Sequence, residues 1–236
     1  MDRKKEFMGG LASGVPIGLG YLSVSFGFGI KAVGAGLSPL TASVISLTNL
    51  TSAGQAAGVD IIAAGGTLIE MILVQLMINL RYSLMGLSLS QKLDKSFTAA
   101  HRLAASYGIT DEIFAVCSAR REKLTPAFMY GVILISTLGW VSGTVMGAAA
   151  GQLLPAAVSA PMGIVLYGMF LAIIVPPSKK EKSVLFVVIT AAVLSVILRY
   201  ILTFISEGFA IMICAAAASA AGAALFPVSD SEEGGE

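Results

Sequence analysis

The sequence predicts an all-α, polytopic integral membrane protein, and two observations carry that prediction. The first is composition: of 236 residues, 56% are hydrophobic and only 12% are charged, about half the roughly 25% charged residues of soluble domains. The second is the length of the uncharged runs. Residues 7–30, 32–59, 124–178 and 208–229 contain no Asp, Glu, Lys or Arg, and each exceeds the ~20 residues a membrane-spanning helix needs. Transmembrane barrel strands would instead alternate apolar and polar over about ten residues.

Hydrophobic stretches fall at about 9–30, 39–58, 61–80, 125–150, 158–175, 183–204 and 208–226, giving about seven segments. The run 124–178 must hold two spans that turn around Gln152-Leu153-Leu154-Pro155. The organisation expected is a cytoplasmic tail over 1–8, one transmembrane transport domain over 9–226 with a charged segment at about 91–123 inside it, and an acidic tail over 227–236. The charged start lacks a small-residue cleavage site before Ile30, so the first helix reads as retained.

Positive charge collects in three clusters: Arg3, Lys4 and Lys5; Lys92, Lys95, Arg102, Arg120, Arg121 and Lys123; and Lys179, Lys180 and Lys182. The positive-inside rule puts all three, and the N-terminus, in the cytoplasm. Three hydrophobic stretches separate the first cluster from the second, which is the wrong parity. Either 39–58 enters and leaves by one face, or a short crossing lies near 97–118. At least one broken or re-entrant helix is therefore expected, and such backbone is tolerated at membrane depth only against protein or a water-filled cavity.

Two glycine stripes, Gly10-Gly14-Gly18 and Gly139-Gly143-Gly147-Gly151, mark close helix packing, inside the bundle or against a partner. Pro16 and Gly27-Phe28-Gly29 make the first helix a candidate for a kink or break.

Charges at the bilayer centre cost about 2.5–3.5 kcal/mol each on insertion scales, so each needs a partner or a wet face. Lys31 and Asp60 stand at segment ends and snorkel. Glu207 suits an interfacial turn, and Arg199 lies within reach of the headgroups or of Glu207. Glu70 and Arg81 are harder to place. Eleven residues are about three turns, so both share a helix face but stand some 16 Å apart. If the helix stops at Leu80, Arg81 only marks its end; the uncharged Tyr82–Ser90 instead pushes Arg81 inward. Thr110-Asp111-Glu112 reads as a capped helix start with acids in its first turn.

Asn79-Leu80-Arg81 before SLMGLSL, Thr110-Asp111-Glu112 downstream, Gln55 upstream among small residues, and the opening GVPIGLGYLSVSFGFG together resemble the AzlC-type (azaleucine-resistance) branched-chain amino-acid permeases, over residues 10 to 226. Two departures stand out. Tyr82 replaces the usual His after the Arg, so any proton-handling role of that His is absent here. Thr51-Ser52-Ala53-Gly54-Gln55 shifts the glycine relative to the Gln.

The resemblance implies a multi-pass protein of the cytoplasmic membrane that exports branched-chain amino acids with a small AzlD-type membrane subunit. Position by position it makes Gln55, Asn79, Arg81, Asp111 and Glu112 the substrate-binding candidates. The residues themselves suit a zwitterion: Arg81 for the carboxylate, oriented by Asn79 and Gln55, and Asp111 or Glu112 for the ammonium. Glu70, Asp111 and Glu112 are the candidates for ion or proton coupling.

Other classes fare worse. A net charge of +1 leaves no footprint for nucleic acid. Cys117 and Cys214 have no metal-ligand spacing and read as buried free thiols. No cofactor, no metal and no enzyme are expected: His101 is the only histidine, and HExxH, GxSxG and a Walker sequence are missing. A channel or assembly subunit is the better rival, since glycine stripes and polar linings suit both.

Overall fold

The computed structural model describes residues 2–153, 155, 165–202 and 204–227. The chain falls into two compact units, Met1–Val59 with Ile78–Leu166, and Asp60–Met77 with Tyr167–Glu236. The described residues are helical, with no strand; a single backbone bridge joins Leu93 to Leu124. In chain order the helices are α1 (Arg3–Gly34), α2 (Pro39–Thr48), α3 (Ser52–Ala63), α4 (Leu68–Ser90), α5 (Ala99–Ser106), α6 (Asp111–Ala119), α7 (Pro126–Leu153), α8 (Val165–Lys180), α9 (Lys182–Tyr200) and α10 (Glu207–Leu225).

Five of these (α1, α4, α7, α9, α10) are long and apolar enough to cross a membrane. Among the described residues, two of the seven expected stretches, 39–58 and 158–175, have no helix of spanning length. The stretch 39–58 divides into α2 and α3 of 10 and 12 residues, or ~15 and ~18 Å, each short of a ~30 Å hydrocarbon core. The stretch 61–80 is displaced toward the C-terminus, because Gly65, at φ +67, turns the chain before α4 begins at Leu68. Positive φ is a conformation that glycine adopts without the clash a Cβ would bring. Residues 158–164 of the fifth stretch and residues 228–236 of the acidic tail lie outside the described residues.

The first unit is built on α1 and α7, and the two glycine stripes explain how. A Cβ at Gly10 would meet the Phe128 carbonyl, one at Gly18 the Ile135 carbonyl and one at Gly29 the Thr144 carbonyl. From the other side, Gly131, Gly139 and Gly147 face the backbone of Phe7, Gly18 and Phe26. Residue numbers rise together on both helices, so α1 and α7 run parallel with their N-termini at the same end. The stripes therefore serve packing inside this chain. The break considered in α1 is not there: the helix runs unbroken through Pro16 and Gly29. Its glycines are used for close approach, and Phe28 beside them is wholly buried.

Salt bridges and hydrogen bonds tie the charged segment to that same end. Arg120 pairs with Glu6 at 3.0 Å, Thr125 Oγ1 donates to Glu6 at 2.9 Å, and Phe128 lies under the Arg120 guanidinium at 4.0 Å. Lys92 Nζ reaches the Ser118 carbonyl at 2.5 Å. Between them α5 and α6 are short, 8 and 9 residues. Cys117 of α6 is fully buried; Cys214 on α10 is only half-buried.

In the second unit α9 packs on α10, with Val187 against Gly222 and Ala218 buried. Here Glu70, 4% exposed, lies at the start of α10. Its carboxylate accepts hydrogen bonds from Ser206 Oγ (2.5 Å) and the Gly208 amide (2.8 Å), where α10 begins. Ser206 makes no side-chain cap of its own, so Glu70 supplies one from α4, with its charge at the positive end of the helix dipole.

Candidate functional site

The site lies in the first unit, where the inner ends of the four short helices meet. Two of those ends are N-termini capped by threonine. The Thr51 hydroxyl oxygen accepts from the Gly54 amide (3.4 Å) at the start of α3, and that of Thr110 accepts from the Ile113 amide (3.3 Å) at the start of α6. The Thr110 cap follows from the preference of a β-region threonine for binding the free amides of a first helical turn, and Thr51 bonds to its first turn in the same way. The other two ends touch as well: the Tyr107 hydroxyl, just past α5, donates to the Leu47 carbonyl in the last turn of α2 at 2.6 Å.

Arg81 stands inside α4, which continues to Ser90, so the guanidinium is not an end marker. It pairs with Asp111 at the α6 N-terminus at 2.9 Å, and its guanidinium carbon lies 5.2 Å from the centre of the neighbouring Tyr82 ring. The Tyr82 ring thus packs against the cation. The two side chains of the pair are 46% and 39% exposed, so a ligand can reach them without opening the core.

Glu112, next on α6, points elsewhere. The Tyr21 hydroxyl donates to its Oε2 at 2.5 Å and lies 2.6 Å from Thr110 Oγ1. Tyr21 in turn packs edge-on against Trp140, ring centres 5.2 Å apart. Trp140 Nε1 donates to Gln55 Oε1 at 2.9 Å, and Gln55 Nε2 donates to Ser46 Oγ at 3.2 Å. Ser46 and Thr144 hydroxyls are 2.7 Å apart. Asn79, half a turn before Arg81, accepts through Oδ1 from Thr51 at 2.9 Å.

The five binding candidates are therefore gathered in one unit, in two roles. Arg81 and Asp111 are accessible and charged. Gln55, 1% exposed with both ends of its amide engaged, holds the band together, as do Glu112 and Asn79. Of the coupling candidates, Asp111 and Glu112 belong to this band, whereas Glu70 caps α10 in the other unit. Tyr21, Ser46, Thr51, Trp140 and Thr144 were missed by sequence reasoning. The one signal was Trp140, the single tryptophan of the chain, within an uncharged run.

Chemically the band offers a reachable guanidinium, a reachable carboxylate, and the positive end of α3, whose first turn holds no acid. An accessible ion pair among apolar helices, bordered by helix ends, fits a helical membrane protein with a polar site, an arrangement found in solute-carrying membrane proteins. Residues 16–154 match the family model described as AzlC protein. The chain is 32% identical over 188 residues to the inner membrane protein YgaZ of Escherichia coli, covering 75% of each chain. It is 30% identical over 183 residues to a membrane protein of Archaeoglobus fulgidus, covering 76% of this chain and 79% of that one. A Helicobacter pylori membrane protein is 27% identical over 152 residues, 63% of this chain and 65% of its own. No solved structure matches. The chain belongs to the AzlC family of membrane proteins, a family of transporters. The matched residues run from before Tyr21 to beyond Thr144, and so contain the whole polar band.

Proposed function

We propose that this chain is the large subunit of a two-component secondary transporter that exports branched-chain amino acids across the cytoplasmic membrane, together with a small AzlD-type subunit. The observation that carries the proposal is the accessible Arg81–Asp111 pair at the junction of two short helix pairs. A substrate carboxylate takes the place of Asp111 on Arg81, facing the α3 N-terminus, and the return of Asp111 to Arg81 releases the substrate. Residues 9–226 act as one transport domain, with short tails on either side.

The parity of the charge clusters fits this reading when α2–α3 and α5–α6 each enter and leave by one face. Neither pair contains a helix long enough to cross. α1 and α4 then supply two crossings between the first and second positive clusters, which lie at one end of the first unit, joined by Arg120–Glu6. That end is cytoplasmic by the positive-inside rule. Coupling to protons runs through Asp111 and Glu112, the carboxylates that line the band.

The test is export of preloaded L-leucine and L-valine from cells expressing the chain with and without its small partner. Saturable, stereoselective export that needs both chains is expected. Export of neither amino acid by the verified two-chain complex would overturn the substrate assignment and bring forward the channel or assembly subunit.

A further inference from the structure

A second feature of the first unit lies between the last turns of α4 and the helix α5: a cavity of about 230 Å³. It is smaller than the roughly 300–1,000 Å³ of pockets for drug-sized ligands and of the scale of a single amino acid. Its walls are apolar, with Leu89 and Phe97 3% and 6% exposed, and Gly86 contributes no side chain. The polar groups at its edge are of two kinds. Arg102 is exposed, and its guanidinium makes no hydrogen bond or ion pair among the described residues. Ser90 and Ser106 already donate their hydroxyl protons, at 2.6 Å to the Leu87 carbonyl and 2.7 Å to the Leu103 carbonyl. Their oxygens are left with accepting capacity only.

Resting on the export reading above, we propose that this cavity is a loading site for the branched-chain amino acid, separate from Arg81 and opening toward the positively charged end of the unit. Arg102 receives the carboxylate through charge-assisted hydrogen bonds. The Ser90 and Ser106 oxygens accept from the ammonium. Leu89 and Phe97 enclose the aliphatic side chain, and the missing side chain at Gly86 leaves room for it. A substrate captured here sits on the same helix as Arg81, five residues further on, which places loading and transport sites along one wall.

Gly86 makes the proposal testable. A Cβ there meets only Ile109 Cδ1, at an ordinary 3.5 Å, so Gly86→Ala leaves the cavity open while Gly86→Phe fills it. Binding of radiolabelled L-leucine, L-valine and L-phenylalanine to the purified full chain, alongside leucine export, reads the effect. Wild type and Gly86→Ala are expected to bind two leucines per chain. Gly86→Phe and Arg102→Gln are expected to retain one, with export slowed about tenfold at low internal leucine, the low end of the roughly 10–200-fold that a single methylene of pocket fit is worth. Leu89→Ala enlarges the slot and is expected to gain phenylalanine binding, a gain that misfolding cannot produce. Leucine export and stoichiometry unchanged in Gly86→Phe would overturn the loading site and leave the export reading intact. Absence of branched-chain export and binding in wild type would remove both.

Discussion

Replacing Arg81 with lysine is expected to leave the protein in the membrane at its normal abundance and to remove most of the proposed leucine export. The substitution keeps the charge, so the cost of an unpaired Asp111 is avoided and the fold persists. What it removes is the planar fork that can hold two carboxylate oxygens at once, and the flat face that packs on Tyr82. A point charge on a flexible stem satisfies Asp111 but does not exchange it for a substrate carboxylate in a fixed geometry. The expected loss is about 100-fold in export, measured as initial rate per unit of membrane-inserted protein, with the larger part in transport of saturating leucine. An Arg81→Lys variant that exports within twofold of wild type would show that the guanidinium is a structural ion pair alone.

The second large effect concerns α1 and α7. A Cβ at Gly139 falls on the backbone of Gly18, where no flexible side chain can move aside. Gly139→Leu must push the two helices apart along their length, and the neighbouring contacts at Gly131 and Gly147 open with it. Overpacking a well-filled interior commonly costs 1–3 kcal/mol; a backbone-to-backbone clash at the centre of the contact is expected at or above about 3 kcal/mol, a large part of the ~5–15 kcal/mol that holds a typical domain folded. The variant should be recovered from membranes in small amounts and unfold at markedly lower temperature. Gly20→Leu is the control, since a Cβ at Gly20 meets nothing within 4 Å. Equal loss at both positions would mean that α1 and α7 do not pack through these stripes.

Much of this was legible before any coordinates. Four uncharged runs dictate a polytopic helical membrane protein, and Tyr82–Ser90 dictates that Arg81 lies inside a helix. Thr110-Asp111-Glu112 announces its capped helix because the local chemistry of a first turn is complete within four residues. The two stripes announce close packing, but small-xxx-small spacing contains no information on which helix answers which, so their mutual, parallel contact had to be seen. Charge parity offered 39–58 as one of two places for a broken helix, but the position of its division into α2 and α3 was hidden for a different reason. Asn49-Leu50-Thr51 contains neither Gly nor Pro, and the break is held by long-range bonds, Thr51 to Asn79 and Gln55 to Trp140. The register of α4 was legible in Gly65-Gly66 and misjudged there, since hydrophobicity alone continues across that turn. Sequence shows Glu70 as a carboxylate in an apolar helix but not the helix start, 136 residues away, that it caps. Tyr21, Ser46 and Thr144 are small or amphipathic residues within apolar runs, and nothing in their spacing separates a hydrogen-bonded band from ordinary core.

The central claim is that Asp111 occupies Arg81 in place of a substrate carboxylate. Leucine affinity of Asp111→Asn, measured on the purified chain, addresses it most directly. Removing the competing charge while keeping the shape should tighten leucine binding about tenfold and slow export, because the same carboxylate is needed to release the substrate. Weaker or unchanged leucine binding in a stably folded Asp111→Asn protein would contradict the claim and leave Arg81–Asp111 as a brace.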